Sequence, residues 1–131
     1  MINLCNMLYV SDVPTHAEFW AKVGLKELRR QGSGSQETVI FAVDADAPSA
    51  RIQLWNLDFI RQNSPEVADM KGSMLFTVDD LEEWHTRVSK ATNTASAIND
   101  FQGMVNFNFQ DPDGNYYAFA QTELPECCAK S

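Results

Sequence analysis

Leu4, Asn6, Leu8 and Val10 alternate with Cys5, Met7 and Tyr9 at the start of the chain. A period of two predicts a strand with successive side chains on opposite faces. Ser11-Asp12-Val13-Pro14 then offers a helix cap and a proline suited to a first turn, and Phe19, Trp20 and Val23 recur at helical spacing before Gly24. A short helix over about 14–23 follows. Leu25 to Arg30 reads as a strand, residues 31–35 (QGSGS) as a loop, and Glu37 to Val43 as a β-branched and aromatic strand. Asp44 to Pro48 breaks it, and Arg51 to Trp55 alternates again. The stretch from about Asn56 to Lys71 has no clean period and serves as a connector, with a helical turn around Leu57 to Arg61.

The same order then restarts. Ser73 to Val78 alternates, Asp79-Asp80 caps, and Leu81, Trp84 and Val88 share one helical stripe. A weak strand is predicted near Ala95 to Ile98. Phe107-Asn108-Phe109-Gln110 and Tyr116-Tyr117-Ala118-Phe119 flank Asp111-Pro112-Asp113-Gly114-Asn115, which predicts two strands joined by a tight turn. Phe107, Phe109, Tyr117 and Phe119 form the greasy faces; Asn106, Asn108, Tyr116 and Ala118 form the mixed ones. Val10-Ser11-Asp12-Val13 aligns with Val78-Asp79-Asp80-Leu81, so the chain reads as an internal duplication.

Phe109-x-Asp111-Pro112-Asp113-Gly114-Asn115-x-x-x-Phe119 resembles the closing hairpin of the vicinal oxygen chelate superfamily, which holds glyoxalases, bleomycin-resistance proteins and extradiol dioxygenases. The resemblance runs over about residues 3–122. It implies one α+β domain of two β-α-β-β-β modules curled into concave sheets: module one about 3–57, a connector about 58–71, module two about 72–122, and a polar tail 123–131. It also implies a homodimer whose cavities are completed across the interface.

Enzymes of that superfamily hold a divalent ion on four concave-face positions. The motifs place those positions at Cys5, Gln53, Ser73 and Ala118. An alanine methyl cannot coordinate, a neutral hydroxyl is weak, and no carboxylate offsets the charge. No native metal or other cofactor is therefore expected. His16 and His85 fall in predicted helices, away from the cavity, with structural or surface roles. Cys5 is expected to be a small buried residue rather than a nucleophile, since no base is placed beside it. The acids Asp79, Asp80, Glu82 and Glu83 suit a helix start.

Alternation leaves Tyr9, Arg51, Gln53, Trp55, Asn106, Asn108 and Tyr116 as candidate ligand-binding residues: aromatic rings for stacking, amides for hydrogen bonds, and one guanidinium for an anionic group. The resulting expectation is a metal-free protein that sequesters a small organic ligand, like the bleomycin-resistance members. Two alternatives stand beside it: a glyoxalase- or dioxygenase-type enzyme with a divergent metal site, and a module with no pocket at all.

Composition narrows the partners. A chain of 131 residues with 44% hydrophobic and 21% charged residues suits one globular domain. A net charge of −8 argues against nucleic acid and anionic membranes, and by steering favours a cationic or neutral ligand. No apolar run approaches the roughly 20 residues of a membrane helix, and the start lacks the pattern of a signal peptide, so a cytoplasmic protein is expected. The three cysteines, two of them adjacent at Cys127 and Cys128, make a poor disulfide framework.

Overall fold

A computed structural model describes residues 2–70 and 72–122; Cys127 and Cys128 lie outside them. The chain forms β1 (Leu4–Val10), α1 (Val13–Val23), β2 (Lys26–Gln31), β3 (Thr38–Ala42), β4 (Ala50–Asn56), α2 (Leu57–Asn63), β5 (Leu75–Val78), α3 (Leu81–Ala91), β6 (Asn99–Phe101), β7 (Met104–Gln110) and β8 (Tyr116–Gln121). The strands form two four-stranded sheets ordered β1-β4-β3-β2 and β5-β8-β7-β6. In each, the first strand lies parallel to the last, and the remaining neighbours are antiparallel. The two sheets thus repeat one topology, an α+β fold.

Both long helices begin where local chemistry supplies a cap. Asp12 accepts a hydrogen bond from Thr15 N, and Asp80 accepts one from Glu83 N, each satisfying a free N–H of the first turn. Gly24 ends α1 with φ 123°, and its N–H donates to Trp20 O. Asn56 caps α2 through Phe59 N, so the connector opens with a true helix rather than a single turn.

The helices pack on the greasy faces. Leu8, Val10, Ile52 and Leu54 of one sheet join Phe107, Phe109, Tyr117 and Phe119 of the other in a single buried cluster with α1 and α3. Trp20, fully buried on α1, makes edge-on contacts with Phe76, Phe109 and Tyr117, so the helix of module one packs against the sheet of module two. Removing each such ring from water contributes about 1.5–3 kcal/mol, which makes the two modules one packed unit.

Polar contacts reinforce the same junction. The last hairpin docks on the start of α1: Asp113 accepts hydrogen bonds from Ser11 N and Ser11 Oγ, and its Oδ2 lies 3.4 Å from His16 Nε2. His16 is fully buried, and its Nδ1–H donates to Asp12 O at 3.0 Å. Asp111, also buried, accepts from Asp113 N and Asn115 N and so shapes the turn. His85 reaches Ser96 O at 2.8 Å. Both histidines thus have structural surroundings, as their helical positions imply.

The predicted strand at Ala95 to Ile98 is displaced to Asn99–Phe101. The earlier stretch still runs beside β7, but hydroxyl groups replace part of a backbone ladder. Thr94 Oγ1 accepts from Gln110 N and donates to Gln110 O, and Ser96 Oγ accepts from Asn108 N. β-Branched and apolar content marks the proximity of this segment without revealing that side chains make the bonds.

Candidate functional site

Parallel pairing of β1 with β4 sets Cys5 opposite Arg51, Met7 opposite Gln53 and Tyr9 opposite Trp55, all on the face away from the helices. In module two the same face carries Leu75 opposite Ala118, Asn108 opposite Ala118, and Gln110 opposite Tyr116. The alternation read from the sequence therefore assigns faces correctly. These open faces expose apolar side chains: Met7 is 51% exposed, Leu75 54% and Tyr116 61%.

A cavity of about 1040 Å³ opens between the modules, lined by edge strand β1 and edge strand β5. Cys5 and Arg51 reach it from module one; Ser73, Leu75 and Thr77 reach it from module two. Gly24 and Leu25 at the end of α1, and Trp84 and Arg87 on α3, complete its wall. Of the seven ligand-binding candidates, only Arg51 lines it. Tyr9 borders a small hollow of about 30 Å³ with Tyr117 and Asn115. Gln53, Asn106, Asn108 and Tyr116 stand on the open faces outside both. Trp55 is half-buried at the end of β4, and its Nε1 is buried without a protein partner among the described residues.

Trp84 and Arg87 escaped the sequence reading as site residues, because a helical stripe reads as core. Trp84 stacks on Phe119 at 5.1 Å, and the Arg87 guanidinium lies over the Trp84 ring at 4.6 Å while bonding Glu83 at 2.9 Å. Arg51 is held differently. Its Nε donates to Pro48 O at 2.8 Å, and it forms no ion pair among the described residues.

Cys5 is exposed, correcting the expectation of a small buried residue. β1 is an edge strand, and Cys5 stands on its open face opposite Arg51. Partial desolvation nevertheless raises the thiol's pKa, against the opposing pull of Arg51. The group is thus a neutral thiol near neutral pH, a poor metal ligand and a weak nucleophile.

The four positions that the sequence resemblance assigns to an ion offer a donor set that does not fit one. Cys5 presents a protonated thiol, Ser73 an exposed neutral hydroxyl, Gln53 one amide and Ala118 a methyl. Among the described residues, no group of three or more His, Cys, Asp or Glu is disposed to hold a metal ion. No helix of the described residues is long and apolar enough to cross a membrane.

Solved structures share this architecture. TnmS3, an antibiotic binding protein from Streptomyces sp. CB03234, superposes with a TM-score of 0.72 at 18% identity, covering 94% of this chain and 97% of its own. A lactoylglutathione lyase from Agrobacterium tumefaciens gives 0.68 at 21% identity, over 90% and 91%. Hypothetical protein SA1046 from S. aureus gives 0.73 at 18% identity, over 93% and 95%. These likenesses establish the fold; no curated protein matches the chain. The sequence model of one family matches residues 2–119, nearly the whole described chain, and the protein belongs to the Glyoxalase/Bleomycin resistance protein/Dioxygenase superfamily.

Proposed function

We propose that this protein binds a small organic molecule without a metal ion and without catalysing a reaction on it. One observation carries this reading: a cleft of about 1040 Å³ receives side chains from both modules, apolar ones such as Leu4, Leu75, Phe76 and Trp84 beside polar and charged ones such as Asn6, Arg51 and Asp79. Its size suits a drug-sized ligand. The donor set at the superfamily's ion positions supports a metal-free role, because a methyl, a hydroxyl, an amide and a neutral thiol cannot balance a divalent charge. An antibiotic binding protein of the same fold is consistent with it.

The exposed apolar faces around Met7, Leu75 and Tyr116 support a further element of the proposal, a homodimer in which a second copy covers them. Gln53, Asn106, Asn108, Trp55 and Tyr116 would then face a shared space rather than water. A cytoplasmic setting belongs to the same reading.

Titration with the neutral aromatic N-phenyl-1-naphthylamine tests the cleft. Saturable binding, quenching of tryptophan emission through Trp84, and loss of both in Thr77→Phe are expected. Absence of saturable binding would overturn the proposal. So would stoichiometric metal in the purified protein, removed by chelation together with an enzymatic activity. Sedimentation analysis reads the dimer.

A further inference from the structure

The cleft wall carries two arginines, Arg51 and Arg87, and three aspartates, Asp44, Asp79 and Asp80, and of the two arginines only Arg51 forms no ion pair among the described residues. Arg51 is half-buried at the wall, and its Nε is already committed to Pro48 O at 2.8 Å. That bond orients the guanidinium and leaves its two terminal nitrogens to donate elsewhere. No carboxylate within the described residues pairs with it. Its cross-strand neighbour is Cys5, whose neutral thiol offers no compensating charge.

The other charges in the cleft are accounted for differently. Arg87 is matched by Glu83 and lies over the Trp84 ring. Asp80 caps α3 through Glu83 N, and Asp44 turns back to bond Asp46 N. Asp79, whose carbonyl accepts from Gln121 Nε2, keeps a carboxylate of its own at the rim. The net charge of −8 acts over distance and is screened within about 10 Å at ordinary ionic strength, whereas contact with Arg51 is not.

We propose that the cleft takes an amphipathic organic anion, its oxyanion head on the terminal nitrogens of Arg51 and its apolar body along Leu4, Leu75, Phe76 and Trp84. A planar guanidinium fork suits two oxygens of one acid group. This rests on the cleft being a ligand site, and it reverses the expectation, drawn from net charge, of a cationic or neutral ligand.

Two dyes separate the claims. 8-Anilinonaphthalene-1-sulfonate and N-phenyl-1-naphthylamine share one apolar body and differ in the sulfonate. Arg51→Gln is expected to weaken the sulfonate dye by about tenfold or more and to leave the neutral dye unchanged. Arg61→Gln, a paired arginine that does not line the cleft, leaves both unchanged. Arg51→Lys, which keeps charge but loses the fork, gives a smaller loss for the sulfonate dye alone, and it carries the comparison if Arg51→Gln does not fold by circular dichroism. Equal weakening of both dyes, or a sulfonate dye indifferent to Arg51, overturns the inference. Binding of the neutral dye alone to the unsubstituted protein also overturns it, while the cleft survives as a ligand site. Failure of both dyes removes the cleft itself.

Discussion

The Oδ2 of Asp113 sits 3.4 Å from Nε2 of His16, with the two residues in different modules and nearly a hundred positions apart. The same carboxylate accepts from Ser11 N at 2.8 Å and from the Ser11 hydroxyl. One side chain of the closing hairpin therefore fastens the start of the first helix, beside the aromatic junction that Trp20 makes with Phe109 and Tyr117.

Asp113→Ala is expected to destabilise the protein by about 0.5–2 kcal/mol, since it removes the acceptor of two hydrogen bonds from Ser11 and the carboxylate beside buried His16. A double-mutant cycle with Ser11→Ala should give a coupling energy of about 0.5 kcal/mol or more. Urea denaturation of the four proteins measures it. Strictly additive losses would mean that the contact between the modules contributes nothing.

Tyr117 gives the junction an alkaline limit. Burial first, then the neighbouring carboxylates of Asp111 and Asp113, hold its phenol above the ordinary tyrosine range. The folded protein keeps this proton at pH values where the unfolded chain has lost it, so stability is complete below about pH 10 and falls as pH rises beyond. Tyr117→Phe should lose less stability than the unsubstituted protein between about pH 9 and 11. Equal slopes in denaturant midpoint against pH would refute the assignment.

Much of this arrangement was legible in the chain, and the reasons differ by element. Period-two alternation marked β1, β4, β7 and β8 because each buries one face against helices and leaves the other open. The repeated motif at Asp12 and Asp80 marked two capped helices and hence two modules. Side-chain bonding of Thr94 and Ser96 to β7 was not legible, since a hydroxyl substituting for a ladder amide leaves no periodic trace. Nor was the exposure of Cys5, which depends on β1 being an edge strand. The cleft was hidden for a related reason: its wall comes from the ends and edges of strands in two modules, and alternation specifies faces only. That is why Arg51 alone of the ligand candidates lines it, while Trp84 and Arg87 join from a helix.

The accessible thiol of Cys5 should react slowly. In a Cys127→Ser, Cys128→Ser background, iodoacetamide at about pH 8 should alkylate it more slowly than a free cysteine, because desolvation lowers the thiolate fraction. Arg51→Gln removes the one influence that lowers this pKa, so the rate should fall again. Mass spectrometry of timed samples follows both. A faster rate in Arg51→Gln would show that the guanidinium shields the sulfur sterically instead of activating it.

Gly24 couples the end of α1 to the cleft. At φ 123° a side chain is already strained, and a Cβ there would stand 3.2 Å from Trp84 Cζ3 and 3.3 Å from Arg87 Nη1. The arginine head can swing aside. The indole cannot do so freely, because it is stacked on Phe119, which is itself buried among Phe76, Phe107 and Phe109. Gly24→Ala should therefore cost about 1–3 kcal/mol and lower the melting temperature by roughly 5 °C or more. It should also shift tryptophan emission and weaken dye binding, since Gly24 and Trp84 share the cleft wall. Phe119→Ala separates the two effects: it leaves φ at Gly24 untouched, costs about 3–5 kcal/mol through the cavity it opens, and frees the indole. Adding Gly24→Ala to Phe119→Ala should then cost less than Gly24→Ala alone. If the two losses simply add, backbone strain at Gly24 dominates and the pressure on Trp84 is negligible.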